Sequence, residues 1–428
     1  MNNGSLSKDS SAILLLCSNL AINSKIDKVK PFTAIEWSKL AKIILNSSIE
    51  RPANLFNLSK SELKEKLLIQ ESECERIITL LSKSGQLAFE LNLLNNMGIN
   101  VMTRADKIFP KVLKEKLKDK CPPVIYYCGD ISILKDELIG VVGSRNIDSY
   151  GLEFTKKIGK KIVQEGYSLV SGGAKGCDSV SQEEVILNGG RVVSFIADSM
   201  INKIKKKDIR EAIMNKKLLF MSAINPKSGF TVYYAMDRNK YIYCLSKTTV
   251  VVSSDYNKGG TWSGATENIK NNWVPVIVRY EENIPKGNKE LIKLGAIKME
   301  TNKLEIPFKN YKIQHNELEQ PYYVGDLLSL VNNKVDNEDN KVEKNNKEEV
   351  SLNRNEYEQK QKSNNEINYD VYEIILDKIK ESLKVELSLN EFKEKFNVNK
   401  KQASDWLNRA IKDGVVKKLH KPERYKTI

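Results

Sequence analysis

The sequence predicts an α/β protein with an extended Rossmann-like parallel sheet core, an N-terminal helical domain and a C-terminal winged helix-turn-helix. Between residues 138 and 278, short β-branched runs alternate with amphipathic stretches, which is typical of βαβ units with helices on both faces of a parallel sheet. Glycine-rich turns follow three of these runs, where open sheets of this class bind ligands. On both sides of the core, this alternation gives way to apolar residues at helical spacing.

The domain boundaries follow from changes in composition and periodicity. Apolar residues such as Trp37, Leu40 and Ile44 recur at helical spacing before the core. Residues 331–368 are rich in asparagine and charge and nearly free of large apolar side chains, so burial cannot offset their ordering entropy. We expect a helical domain at 1–105, a Rossmann-like core at 106–322, a disordered linker at 323–368 and a winged helix-turn-helix domain at 369–428.

The elements of the core are expected in the following order. An extended connector at 109–130 leads into it, because proline fixes φ and keeps its predecessor out of the helical region. The strands are expected at Ile139–Val142, Ser168–Val170, Val192–Ile196, Leu218–Met221, Thr248–Val252 and Val274–Val278. Helical patterns lie between them at about 150–165, 178–188, 201–216, 231–246 and 261–271.

The charge balance favours a polyanionic partner. Lysine and arginine number 69 against 55 acidic residues, for a net charge of +14. The six cysteines show no C-x-x-C spacing and the two histidines stand alone, so we expect no metal, no disulfide framework and no cofactor. No apolar run approaches the roughly 20 residues that a membrane helix needs, and we expect a cytoplasmic protein.

The strongest local motif is the glycine turn from Ser171 to Asp178, which follows a strand and opens a helix. Glycines in such a turn let backbone amides approach a phosphate, and the helix N-terminus adds partial positive charge. Ser171 occupies the place of the first glycine in the dinucleotide fingerprint, which argues against NAD. The turn is therefore predicted to hold an anion, while Asp178 is suited to capping the helix.

Two further glycine turns are expected at the same edge of the sheet, and one helical segment adds positive charge. Gly143-Ser144-Arg145 follows the first core strand, and its arginine offers a bidentate fork for phosphate. A turn from Lys258 to Gly264 follows the fifth strand and opens a helix. The helical stretch 237–240 adds two cations and an amide. Three such turns after three strands are more specific than one.

This combination resembles the DNA-processing protein A (DprA/Smf) family over residues 109–297. The resemblance includes Phe109-Pro110, the glycine turns and Arg238-Asn239. It implies a core that binds single-stranded DNA in a basic cleft. Lys175, Cys177 and the Ile277–Tyr280 segment depart from the family pattern, which implies a divergent member. The expected DNA- or phosphate-binding residues are Gly143, Ser144, Arg145, Ser171, Gly172, Gly173, Lys175, Gly176, Arg238, Asn239, Lys240, Gly259, Gly260, Thr261 and Trp262.

The tail carries a second basic surface, which some members of this family also have as a winged helix. A helix beginning at Lys400 followed by a basic wing is suited to contacts with phosphates and grooves. Docking of a partner protein is the alternative use of such a domain. The expected DNA contacts are Lys400, Lys401, Gln402, Arg409, Lys417 and Lys418.

The resemblance implies a non-enzymatic, single-stranded-DNA-binding protein, a homodimer that presents DNA to a RecA-type recombinase during DNA uptake, natural transformation and recombination. No catalytic set of residues is evident. A nucleotide-binding sensor or an N-glycosidic hydrolase of the LOG type is an alternative, because Gly259-Gly260-Thr261 is followed by Glu267. A DNA sensor in antiviral defence would share the cleft and differ in its partner.

Overall fold

The computed structural model describes residues 6–23, 26–281, 284–311, 376, 379–396, 400–419 and 424–427. The chain separates into two units, Met1–Val324 and Gly325–Ile428. The first unit therefore contains both the N-terminal helices and the sheet. The predicted linker lies outside the described residues.

The N-terminal part of the first unit is helical, as its periodicity predicts. Its helices are α1 (Lys8–Cys17), α2 (Ala34–Asn46), α3 (Lys60–Leu67), α4 (Glu71–Leu81) and α5 (Ser84–Asn96). The side chain of Ser7 caps α1, and Thr33 and Glu36 form a reciprocal capping box at the start of α2. The apolar centre of α1 is fully buried, and the core around it is continuous with one face of the sheet.

The capping box makes the stability of this region depend on pH. Burial raises the pKa of Glu36, but hydrogen bonds from Arg76 and Thr33 outweigh burial and lower it from 4.5 to about 2. A lowered folded-state pKa contributes stability above pH 4.5 that is lost as the pH falls toward 2. We expect urea midpoints measured between about pH 6 and pH 3 to fall less in Glu36→Gln than in the wild type. An equal fall of the urea midpoint with pH in both proteins would contradict a stabilising role of the ionised Glu36 side chain.

Nine described strands form one sheet, and the predicted α/β core is confirmed. The strands are β1 (Asn100–Thr103), β2 (Val124–Gly129), β3 (Leu138–Val142), β4 (Ser168–Ser171), β5 (Val192–Phe195), β6 (Leu218–Ser222), β7 (Thr248–Val251), β8 (Val276–Tyr280) and β9 (Ile297–Glu300). Their order is β1-β2-β6-β5-β4-β3-β7-β8-β9. The strands from β6 to β9 in this order are parallel, whereas β1 and β2 pair antiparallel.

Helices cover both faces of the sheet. These are α6 (Lys111–Leu117), α7 (Ser149–Gln164), α8 (Cys177–Leu187), α9 (Met200–Lys203), α10 (Lys207–Met214), α11 (Val232–Leu245), α12 (Gly259–Asn271) and α13 (Lys286–Lys293). Successive strand residues enter opposite cores, because side chains alternate across a strand: Ile139 belongs to the buried cluster that contains residues of α7 and α8, and Leu138 to the cluster that contains residues of α6 and α11. None of the described helices has the length and apolar composition that crossing a bilayer requires.

The extended connector predicted at 109–130 is wrong for residues 111–117, which form α6. Pro110 immediately precedes this helix, and a proline is tolerated at a helix start because no N–H is needed there. Strands β1, β2 and β9 were not predicted. β1 is a short strand inside the segment assigned to helices, and pairing with β2 determines its conformation.

The direction of the chain across the sheet reverses beside β3. From β3 the chain builds β4, β5 and β6 on one side, and it then returns to place β7 on the other side of β3. The loops that leave the carboxyl ends of β3 and β7 therefore diverge. Such a switch point is where open parallel sheets form a ligand crevice.

The second unit contains the helices and the small hairpin that were predicted for the tail. Its complete elements are α14 (Leu389–Lys395), α15 (Lys400–Lys412), β10 (Val416–Leu419) and β11 (Arg424–Thr427). Ile379, Phe392, Leu407 and Tyr425 are buried together in its core. Residues 397–399, which precede α15 in the chain, lie outside the described residues.

Candidate nucleic-acid interface

A cleft of about 470 Å³ lies at the switch point of the sheet. All three predicted glycine turns reach it, although they are far apart in the sequence. The first contributes Gly143 to Arg145, the second Ala174, and the third Lys258 to Thr261. The sheet places them together because β4, β3 and β7 are neighbours and all end at this edge.

Backbone hydrogen bonds join the first turn to the second and to the segment that directly follows β7. The amide of Ser144 donates to the carbonyl of Ser253 at 3.0 Å, and the amide of Cys177 donates to the carbonyl of Ser144 at 3.3 Å. Gly176 has a φ of +82°, and a Cβ there would lie 2.3 Å from the carbonyl oxygen of Arg145. Close backbone packing therefore requires this glycine.

The Ser171–Asp178 turn folds around its own carboxylate. The amide of Ala174 donates to the Asp178 carboxylate at 3.4 Å. Burial raises the pKa of Asp178, while the nearby Arg238 and the amides of Ala174 and Gly172 oppose that rise. These amides thus interact with the Asp178 carboxylate. A bound phosphate would therefore contact the cations around the turn and not these amides.

Arg238 and Asn239 hold the floor of the cleft together. The Arg238 guanidinium is buried and donates to the carbonyl oxygens of Gly172 and Phe195, at 2.7 Å for Phe195. The Asn239 amide donates to the carbonyl of Gly260 at 2.8 Å. Gly172 directly follows β4, Phe195 is the last residue of β5 and Gly260 lies in the first turn of α12. One segment of α11 therefore holds three elements in place.

Several of the predicted glycines and Ser171 serve packing. The Ser171 hydroxyl is buried and donates to the carbonyl of Val141 at 2.7 Å. A Cβ at Gly143 would lie 2.8 Å from the Cys177 side chain. Gly173 has a φ of +62°, and its Cβ would lie 2.6 Å from the Ser194 hydroxyl. These residues shape the cleft through close contacts between β3, β4 and β5.

Exposed cations surround this floor. The side chains of Arg145, Lys175 and Lys258 are exposed, and Arg145 and Lys258 line the cleft. Lys203 was not predicted; its ammonium donates to the carbonyl of Gly173 at 3.3 Å, and burial lowers its pKa. The signal that could have found it is the basic run 203–207, which follows the carboxyl end of β5.

The N-terminus of α12 also faces the cleft. Gly259, Gly260 and Thr261 form its first turn and line the cleft wall. Among the described residues, no side chain caps this turn at Lys258. The first-turn amides and the helix dipole therefore add positive potential beside the lysine.

The residues considered from the sequence that do not line the cleft are Ser171, Gly172, Gly173, Lys175, Gly176, Lys240, Trp262 and Glu267. Lys240 forms an ion pair with Asp237 and does not line the cleft. Trp262 packs against the sheet core and meets the ring of Tyr256 edge to face at 5.1 Å. Glu267 is absent from the described lining, and burial raises its pKa, opposed by Lys240. The carboxylate that a LOG-type hydrolase requires is thus not at this site.

The basic side chains of the second unit lie on α15 and on the hairpin. Arg409 lies 3.8 Å from Asp413. Lys417 and Lys418 are exposed on β10, with the Lys418 ammonium 5.8 Å from the centre of the Tyr425 ring. Lys400, Lys401 and Gln402 begin α15, but their side chains lie outside the described part of the structure.

Comparison with known proteins identifies the sheet-containing segment. The family model described as DNA recombination-mediator protein A matches residues 100–306. The DNA processing protein DprA of Bacillus subtilis (strain 168) is 30% identical over 164 residues, which are 38% of this chain and 54% of that protein. DprA of Streptococcus pneumoniae is 27% identical over 141 residues, 32% of this chain and 49% of that protein.

The chain thus spans about half the length of these two curated relatives. The X-ray structure of DprA from Streptococcus pneumoniae has a TM-score of 0.44 and 20% identity, covering 63% of this chain and 95% of that one. Residues 100–306 of this chain thus match the DNA recombination-mediator protein A (DprA/Smf) family, with moderate identity over part of the length.

Proposed function

We propose that the chain binds single-stranded DNA in the cleft, without catalysis, and presents it to a recombinase. The observation that carries the proposal is a row of cations across neighbouring strands. Lys203 follows β5, Lys175 follows β4, Arg145 follows β3 and Lys258 follows β7, which is their order in the sheet. Four cations that follow four neighbouring strands suit a chain of phosphates better than one phosphate.

The family supplies the rest of the proposal. Its description as a recombination mediator, together with the resemblance in the glycine turns, supports a single-stranded substrate and a RecA-type partner. We propose that the protein acts as a homodimer in the cytoplasm and that Arg409, Lys417 and Lys418 of the second unit provide an additional DNA contact. Arg238 and Asn239 support the cleft from beneath, and the exposed cations bind the phosphates.

Removing single cations should weaken binding independently of base sequence. For Arg145→Ala, Lys175→Ala and Lys258→Ala in the full chain, we expect lower affinity for single-stranded oligonucleotides. The slope of log K against log salt should fall by about 0.7 for each phosphate that the variant no longer neutralises. Fluorescence anisotropy over a salt series measures both quantities.

Lys270→Ala is the matched control, because Lys270 is exposed in the last turn of α12, at the opposite end from the cleft. It should change neither affinity nor salt slope. If none of the three cleft variants differs from Lys270→Ala, the cleft is not the DNA site. Tight binding retained by all three but abolished by deleting the second unit would move the DNA contact to that unit.

A further inference from the structure

Arg279, near the end of β8, is a buried arginine that does not line the cleft. Its side chain is fully buried, so it does not contact a bound strand itself. Its Nη1 donates to Asp148 at 3.3 Å and lies 3.2 Å from Glu281, whereas its Nε and Nη2 have no hydrogen-bond partner in the described part of the chain. Buried donors without an acceptor destabilise a fold. Stability therefore does not account for an arginine at this position.

Asp148 connects Arg279 with the first glycine turn. It caps α7, and its carboxylate accepts a hydrogen bond from the Gly151 amide at 2.5 Å. A Cβ at Gly151 would lie 3.1 Å from Arg279 Nη1, so the guanidinium packs directly against the first turn of α7. Arg145 precedes Asp148 by three residues. Arg279 thus fixes the end of the 143–148 segment.

The beginning of the same segment is attached to the same two strands. The Ser144 amide donates to the carbonyl of Ser253, which follows β7, at 3.0 Å. The amide of Ser254 donates to the Asn288 side chain at 2.8 Å, and the Asn288 amide group donates to the carbonyl of Arg279 at 3.2 Å. The ends of β7 and β8 therefore hold both ends of the 143–148 segment.

We propose that Arg279 is a positioning residue that keeps Arg145 in the cation row. The inference rests on the proposed function, because the residue that is positioned is a phosphate-binding cation. Arg279 acts through Asp148, which fixes the segment on the side of Arg145 that the Ser144 hydrogen bonds leave free. A cation on a fixed segment loses less conformational entropy when it binds phosphate than a cation on a loose one.

The first test is a double-mutant cycle in the full chain, with the Kd for a single-stranded oligonucleotide and its salt slope as readouts. Arg279→Met should raise the Kd about fivefold, the factor that corresponds to one exposed ion pair. It should lower the salt slope by about 0.7, as loss of one phosphate contact does. Arg279→Met should have no further effect when Arg145 is already alanine, but should multiply the effect of Lys258→Ala.

Stability distinguishes this role from a merely structural one. Replacing a buried ion pair with an apolar side chain of similar volume is often neutral or stabilising. Arg279→Met also removes the two buried donors that have no acceptor among the described residues. We therefore expect its urea midpoint to equal or exceed that of the wild type while its DNA affinity falls.

Asp148→Asn separates the effect of position from the effect of charge without emptying a buried site. Asparagine caps a helix as well as aspartate does, and Arg279 keeps its pairing with Glu281. The variant removes a negative charge near Arg145, so electrostatics alone would tighten DNA binding. We expect weaker binding instead, by the same factor as in Arg279→Met, because the segment loses its attachment.

Arg191→Met is the matched control. It removes the guanidinium that pairs with Asp136 before β5, at the opposite edge of the sheet from the cleft. The Kd and the salt slope should both stay at their wild-type values.

Other outcomes overturn the inference in distinguishable ways. If Arg279→Met weakens binding equally in the presence and absence of the Arg145 side chain, its effect does not pass through Arg145. Tighter binding by Asp148→Asn would show that the ion pair acts through charge and not through position. If the wild type does not bind the oligonucleotide, the proposed function fails together with the inference. If the wild type binds it and Arg279→Met has the same Kd as Arg191→Met, only the inference fails.

Discussion

Arg238→Ala should destabilise the first unit more than any substitution of an exposed cation. It leaves the carbonyls of Gly172 and Phe195 buried without a donor, and each such group costs about 1–3 kcal/mol. It also removes the cation that opposes burial of the Asp178 carboxylate. We expect the free energy of unfolding in urea to fall by about 3–5 kcal/mol.

Arg145→Ala provides the comparison for this prediction. Its side chain is exposed, so unfolding should change by no more than about 0.5 kcal/mol while DNA affinity falls. Arg238→Lys retains the charge without the guanidinium fork and should give an intermediate loss of stability. If Arg238→Ala instead unfolds at the wild-type urea concentration and lowers the salt slope of DNA binding, Arg238 contacts phosphate directly.

Gly176→Ala should abolish most DNA binding by separating two of the turns that form the cleft. The new Cβ would lie 2.3 Å from the Arg145 carbonyl oxygen, and φ at this position is +82°. Left-handed backbone costs a residue with a Cβ about 1–2 kcal/mol, and the clash adds to that cost. Because the clash is with backbone, the 143–145 turn must move and carry Arg145 away from the cation row. We expect the Kd for single-stranded DNA to rise more than about tenfold.

Gly166→Ala separates backbone strain from displacement of the turn. Gly166 has a φ of +78°, but a Cβ there would have no neighbour within 4 Å. It lies before β4, at the opposite edge of the sheet from the cleft. The control should therefore lose about 1–2 kcal/mol of stability and keep its DNA affinity. Equal reductions of affinity in the two variants would show that global stability, and not the position of Arg145, governs binding.

Much of the architecture could be predicted because local patterns encode it. The β-branched runs between residues 138 and 278 correspond to parallel strands, since burial on both faces requires apolar residues at every position. The glycine turns that follow β3, β4 and β7 were predicted to share an edge, and they do, because parallel strands have all their carboxyl ends on one side. The start of α6 after Pro110 was not predicted, because a proline is compatible both with an extended segment and with the start of a helix.

The roles of neighbouring residues on one helix could not be predicted in this way. Arg238 and Lys240 are two positions apart on α11, yet Arg238 lies beneath the cleft and Lys240 pairs with Asp237 away from it. Their different environments depend on how α11 packs against the sheet through Tyr241 and Ile242. The orientation of a helix depends on that packing. Periodicity alone shows which residues are buried, but not which of them lie beside a site.

By itself the sequence determined the fold class, the three turns and the excess of positive charge. The first two depend on short stretches of the chain, and the third depends on composition alone. Only the tertiary structure decided which charges form a row, since Lys203 and Lys258 become neighbours of Lys175 and Arg145 through strand order. It also decided that the Ser171–Asp178 turn encloses its own carboxylate and that Phe230 lies beside Arg145. These are contacts between segments distant in sequence, and they form only when burial of the two apolar faces of the sheet fixes the strand order.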